Sequence, residues 1–358
     1  MRLLTTVFCY LLFLNGILEA QSIEVSETPN TRSFSNDQFL VAGHQVDLTD
    51  RGLDNFENAT MSSISAISAV KELNSIVFIS GSGKVMKEKP YNFASDDRSS
   101  RLYIKPNGEL IIRENIANFI FLNTDGTVKQ SISNSSQSPE GESVSELAAD
   151  PMFKTVVLYN PKIVRDGREG SRASVVKARG QTTNIFYSSD RFIKEVFVSD
   201  EGHYIAIVTA ASGTDDQVYI TDRFGKKLGE FSFNQPIGEV KFTRYGRYIT
   251  IRSNGRVGVY SITAGEREGS TSFKNMLHYA NYVPEDDNII AITAERTGNI
   301  LSEIEFHAIN LTKRSIERQE YSENVGVTEL LPITMERTGT NNYIFTGLSK
   351  VLNVSVQF

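Results

Sequence analysis

Cysteine and tryptophan are almost absent from this sequence. Its 358 residues include one cysteine, Cys9, and no tryptophan. Cys9 lies inside an apolar run, 3–14, that follows the basic start Met1-Arg2 and leads to "GILEA" and the small Ala20. Basic start, apolar run and small residue are the order of a secretory signal. The run is shorter than the about 20 apolar residues a bilayer span needs. Cleavage after Ala20 is therefore expected, with a retained anchor as the alternative; Leu18 stands where a smaller residue is usual. A lipoprotein would carry its cysteine at the cut, and Cys9 is not there. A chain beginning at Gln21 has no cysteine, which excludes disulfides, a thiolate nucleophile and cysteine-ligated metal. An exported protein of this kind is held by core burial and sheet pairing, which suits a bacterial envelope or extracellular protein.

Positive charge is also in short supply. Lys and Arg number 37 against 43 Asp and Glu; removing Arg2 with Glu19 leaves 36 against 42, still −6. That balance argues against a nucleic-acid binder. The four histidines, His44, His203, His278 and His307, form no H-x-x-x-H or H-E-x-x-H pair, so a helical zinc site is excluded. "GSGK" (81–84) is not a phosphate loop, because Phe78 stands where glycine is required and Val85 where Ser or Thr is. No G-x-S-x-G elbow occurs. The pairs Asp96-Asp97, Asp215-Asp216 and Asp286-Asp287 lack calcium-loop spacing and read as turn residues. No catalytic residue, metal or cofactor is assigned. Glycosylation sequons at Asn58, Asn134, Asn310 and Asn353 read as chance matches in an Asn- and Ser-rich chain.

What the chain does contain is an internal repeat. "VSDEGHYIAI" (198–207) lies on "FTRYGRYITI" (242–251) at an offset of 44, matching Gly202 to Gly246, Tyr204 to Tyr248, Ile205 to Ile249 and Ile207 to Ile251. The shared pattern is a strand end, a polar turn with a residue that tolerates φ > 0, then a strand. Looser copies give seven markers, Asn74, Gly108, Met152, Gly202, Gly246, Asp287 and Asn341, spaced 34, 44, 50, 44, 41 and 54 residues apart. Each is followed by two further strand-like runs joined by a turn, as in "QVYITDRFGKKLGEFSF" (217–233). Four strands in 40–45 residues is the signature of a propeller blade.

The stretch 198–222, "VSDEGHYIAI" followed by "QVYITD", resembles the WD40-like repeats of the TolB type, S-P-D-G-x-x-I-A-F followed by I-Y-x-x-D. The Trp-Asp dipeptide of true WD40 repeats is absent. The resemblance implies a fold, and an envelope or periplasmic protein–protein interaction, but no particular activity.

The expectation is an all-β chain: residues 1–20 a signal, 21–35 a flexible leader, and 36–358 a single β-propeller of seven four-stranded blades. An N-terminal strand, expected in 38–48, should pair into the last blade and remove its open edge. The glycine-bearing turns share one face. The long segments 133–143, 160–174, 209–217 and 294–303 share the other and are expected as its loops, where binding is usually placed. From 161 to 180 the chain carries Lys162, Arg165, Arg168, Arg172, Lys177 and Arg179 against Asp166 and Glu169, a local +4. These six basic residues are the expected docking positions, for a protein or an anionic envelope polymer. Asp200, Glu201 and His203 read as hairpin decoration, because the counterpart turn carries Arg244, Tyr245 and Arg247. The leading reading is a monomeric, exported, non-catalytic binding scaffold. The rival is a sugar or lactone hydrolase or lyase with its site at the channel mouth.

Overall fold

The computed structural model describes residues 22–27, 38–41, 44–47, 59–61, 68–71, 75–79, 85–92, 100–327 and 332–358. They form a β-propeller of seven antiparallel blades in chain order: 59–90, 101–133, 146–188, 192–233, 239–272, 277–321 and 334–357. Blades 1 to 6 take four consecutive strands each, and a short strand, Val325–Gly326, adds to blade 6. Blade 7 has three strands of its own; the fourth, outermost strand is Ser22–Glu27, paired from Ser22↔Gln357 to Glu27↔Leu352.

The closing strand is thus not the one expected. It comes from the stretch taken for a leader, while Gln38–Val41 and His44–Asp47 pair with each other as a separate hairpin. The reason is legible afterwards. "SIEVSE" alternates, placing Ile23 (4% exposed) and Val25 against the core of blades 6 and 7 and leaving Glu24 in water. An outermost blade strand needs one apolar side, not a continuous apolar run. Lys350 holds the end of this strand by donating to Glu27 (2.9 Å), as does the Tyr321 hydroxyl.

The period of two along each strand explains why blades stack side by side. In Tyr204–Ala210, the second strand of blade 4, Ile205 and Ile207 pack against Val157, Tyr159 and Ala173 of blade 3. Their neighbours Ala206 and Val208 pack against Val240, Ile249 and Ile251 of blade 5. Blade 6 repeats the division: Ile289 and Ala291 face blade 5, Ile290 and Ile292 face blade 7. Each such buried aliphatic side chain contributes about 1.5–3 kcal/mol.

The turns that mark the repeat follow one plan. Gly202 N–H donates to Ser199 O (2.7 Å) and Ser199 N–H to Tyr204 O (2.9 Å); forty-four residues on, Gly246 donates to Thr243 O (2.9 Å) and Thr243 to Tyr248 O (3.0 Å). Both glycines have positive φ, +72° and +60°. Both also abut the preceding blade: a Cβ on Gly202 would lie 2.9 Å from Asp150 Oδ1, and one on Gly246 would lie 2.0 Å from the Tyr204 ring. Gly108, Asp287 and Asn341 are likewise left-handed, and Phe153 takes that conformation beside Met152. The first marker alone is out of phase. Asn74, itself outside the described residues, falls between the second and third strands of blade 1, Ser68–Lys71 and Ser75–Ile79. That misplacement accounts for the short spacing of 34.

Two of the expected loops are hairpins. Val156–Arg165 pairs with Arg168–Val176, and Asn288–Thr297 with Ile300–Asn310, each turning within two residues. Residues 133–143 contain a small hairpin of Gln137–Ser138 and Gly141–Glu142. Asn134 and Asn310 are buried, so two of the four sequons are closed to a glycan.

The seating of the closing strand is tested by paired substitutions. Ile23→Ala should cost about 2–4 kcal/mol in denaturant unfolding. Glu24→Ala, one residue on and facing water, should stay within about 0.5 kcal/mol. Equal losses would show that the strand is not seated as described.

Candidate functional site: the channel and its mouth

The first strands of blades 3 to 7 line a channel of about 470 Å³, walled by Leu147–Ala149, Glu195–Asp200, Glu239–Phe242, Tyr279, Asn281, Thr334 and Met335. On the tight-turn face it opens into a mouth of about 540 Å³. The mouth is built by the first turns of blades 4, 5 and 6 and the first strand of blade 7: Asp200, Glu201, Tyr204, Tyr245, Pro284, Glu285, Glu336 and Arg337. Ser199, Asp200, Phe242, Asn281 and Met335 belong to both walls, so mouth and channel form one funnel.

Glutamates stand on the first strands of three successive blades. Glu146 receives Arg113 (2.7 Å) and Arg101 (3.4 Å). Glu195 accepts from the Tyr159 hydroxyl (3.2 Å). Glu239 is paired with Arg252 (3.0 Å) and Lys241 (3.4 Å). The protein around Glu195 raises its pKa, an effect the Tyr159 hydrogen bond opposes and the nearby Glu146 reinforces. Lys241 lies 3.9 Å over the Tyr279 ring, and burial lowers its pKa even with Glu239 beside it. Desolvation by the protein around it also raises Asp200, against the pull of Lys241. Tyr103 is pushed up to about 12, by burial and then by Glu146.

Among the described residues of the mouth wall the one cation, Arg337, is already engaged. Arg337 grips Asp286 through both carboxylate oxygens, at 2.7 and 2.8 Å, and that carboxylate is fully shielded from solvent. Tyr343 OH (2.9 Å) and Asn341 N–H (3.2 Å) complete its shell. Burial would raise the Asp286 pKa, but these donors, Arg337 foremost, hold it below the ordinary value.

The six basic residues do not form one patch. Arg165 and Arg168 flank the tip of the blade 3 hairpin, with Lys162 nearby. Lys177 and Arg179 lie at the other end of Arg168–Val176, about 30 Å away at the rise of a strand and on the opposite face. Lys162 is paired with Glu140 (2.9 Å) and Arg165 lies 5.3 Å over the Tyr187 ring. Arg172 points inward, donating to Asn160 Oδ1 (2.8 Å), Asn134 O (3.2 Å) and Ser135 O (2.9 Å). It holds a connection together and is not offered to a ligand.

His203, His278 and His307 stay apart. His203 sits in its turn, half-exposed, 3.5 Å from Glu201. His278 meets Ala294 O (3.1 Å), and His307 meets Thr293 (2.8 Å). Among the described residues no three His, Cys, Asp or Glu side chains gather as a metal site.

The sequence points to a channel mouth only in the rival enzymatic reading and assigns it no residue, although one signal was available. Glu195 and Glu239 are separated by the repeat offset of 44, so the carboxylate recurs at the same strand position. Asp200 and Glu201 were set aside because the next turn does not repeat them. A mouth shared among several blades has no need to repeat its chemistry blade by blade.

No family model and no curated protein matches the chain. Its fold is widely shared among solved structures, with 1102 matching chains. One belongs to the crystal structure of the mitotic checkpoint complex, aligned with a TM-score of 0.51 over 93% of this chain and 91% of that one at 10% identity. A likeness at that identity shows architecture alone: the chain is a β-propeller of four-stranded antiparallel blades.

The raised Glu195 has a measurable consequence. A carboxyl whose folded pKa is raised costs stability as pH climbs above the unfolded value of about 4.3. Glu195→Gln keeps the acceptor for Tyr159 and removes that cost. Thermal midpoints should be higher in the variant at neutral pH and converge with wild type below about pH 4. A variant less stable at neutral pH would show that the wall requires the charge itself.

Proposed function

We propose that the protein is an exported binding scaffold that docks a partner protein at the funnel mouth on its tight-turn face. The supporting observation is the mouth itself, an opening of about 540 Å³ built by turns of several blades and continuous with the channel. Turns fixed by backbone hydrogen bonds and packed against the preceding blade present side chains at little entropic cost. Export is supported by the basic start, apolar run and Ala20 of residues 1–20. Among the described residues no helix is long and apolar enough to cross a membrane. The docking position thereby moves from the basic hairpin to the opposite face.

A photo-crosslinking residue at position 245, on the mouth, should capture a partner in a cell extract, and one at position 168, on the hairpin tip, should not. Capture from position 168 alone would place docking on the other face.

A second reading, a propeller hydrolase or lyase acting on sugars or lactones, is favoured by one observation: Glu195 and Asp200 are both raised carboxyls on the channel wall. It requires turnover of a lactone or glycoside that Glu195→Gln abolishes; retained turnover would sink it.

A further inference from the structure

We propose that the partner segment received by the mouth is basic, a stretch of protein that presents lysine or arginine side chains to the opening. The inference rests on the reading of the mouth as the docking site and adds the chemistry of its occupant.

Charge is the first ground. Asp200, Glu201, Glu285 and Glu336 line the mouth, and all four are exposed. The only cation among the described lining residues, Arg337, is engaged by Asp286 at 2.7 and 2.8 Å. Deeper in, Lys241 and Arg252 share the single carboxylate of Glu239, whereas among the described lining residues of the rim four carboxylates stand against Arg337. A concave wall with an excess of one sign focuses its field on the space in front of it. The opening therefore attracts cations and repels an anionic polymer.

The kind of cation follows from the walls. Tyr204 and Phe242 stack at 6.0 Å between centroids, and both line the mouth together with Tyr282 and the exposed Tyr245. Aromatic faces beside carboxylates are the surroundings in which a guanidinium or ammonium is held by ring and charge together. A small metal ion would ask instead for converging carboxylates, and no such group of ligands exists among the described residues. The volume of the mouth has room for several side chains, which points to a peptide segment and not a lone ion.

The test uses the purified protein with fluorescein-labelled octalysine and octaglutamate peptides, read by anisotropy. Octalysine should bind, weaken with rising salt, and lose affinity about tenfold or more when Asp200→Asn, Glu201→Gln, Glu285→Gln and Glu336→Gln are combined. Glu295→Gln with Glu303→Gln, on the opposite face, should leave binding unchanged. An unaltered melting midpoint checks that the fourfold variant is folded, and Glu285→Gln with Glu336→Gln alone should give an intermediate loss. Equal binding of octaglutamate, or undiminished binding by the folded fourfold variant, overturns the proposal. The crosslink at position 245 separates the two readings. An adduct to a segment lacking Lys and Arg sinks the basic partner and keeps the docking site, whereas no adduct there sinks the docking site itself. An adduct to residues 162–179 of a second copy overturns the separate partner in favour of self-association.

Discussion

A four-stranded sheet that is apolar on both faces cannot stand alone in water, and every other feature of this protein follows from that constraint. Ile205 and Ile207 need blade 3 exactly as much as Ala206 and Val208 need blade 5. The only arrangement that satisfies all such strands is a series of blades packed face to face. The last blade, three strands long by its own sequence, is completed by Ser22–Glu27, which joins the two ends of the chain in one sheet. Without disulfides in the propeller, this pairing and the interblade cores carry the stability.

Stacking blades side by side leaves their first strands around a common axis, and that is where polar chemistry gathers. Side chains there face a water-filled space walled by protein, so each charge is partly stripped of solvent and seeks a partner. Glu146, Glu195 and Glu239 find arginines or a tyrosine hydroxyl; Lys241 finds Glu239 and the Tyr279 ring. Toward the tight-turn face the partners run out, and Asp200, Glu201, Glu285 and Glu336 remain at the opening. Paired charges below and an excess of acid above give the funnel its polarity.

Much of the fold was legible because backbone geometry writes itself into local sequence. The turn residues at 108, 202, 246, 287 and 341 all adopt φ > 0, as their glycine, aspartate and asparagine identities indicate. The alternating strands after them pair as expected. The errors have physical causes too. Asn74 has the look of a first turn but lies at a second, because both turns join antiparallel strands and use the same residues. Residues 160–174 have a loop's polar composition, yet they form paired strands in which a few apolar residues, Ile163 and Ala173 among them, supply the buried side.

The sequence by itself determined that this is an all-β repeat protein of seven blades, because period-two alternation and turn chemistry are local properties read along a few residues. Tertiary structure alone decided which segment closes the ring of strands, where the six basic side chains fall, and that Asp200, Glu285 and Glu336 meet at one opening. Those outcomes depend on residues from blades far apart in the chain arriving at a common axis, and the offset between such residues leaves no trace in any one repeat.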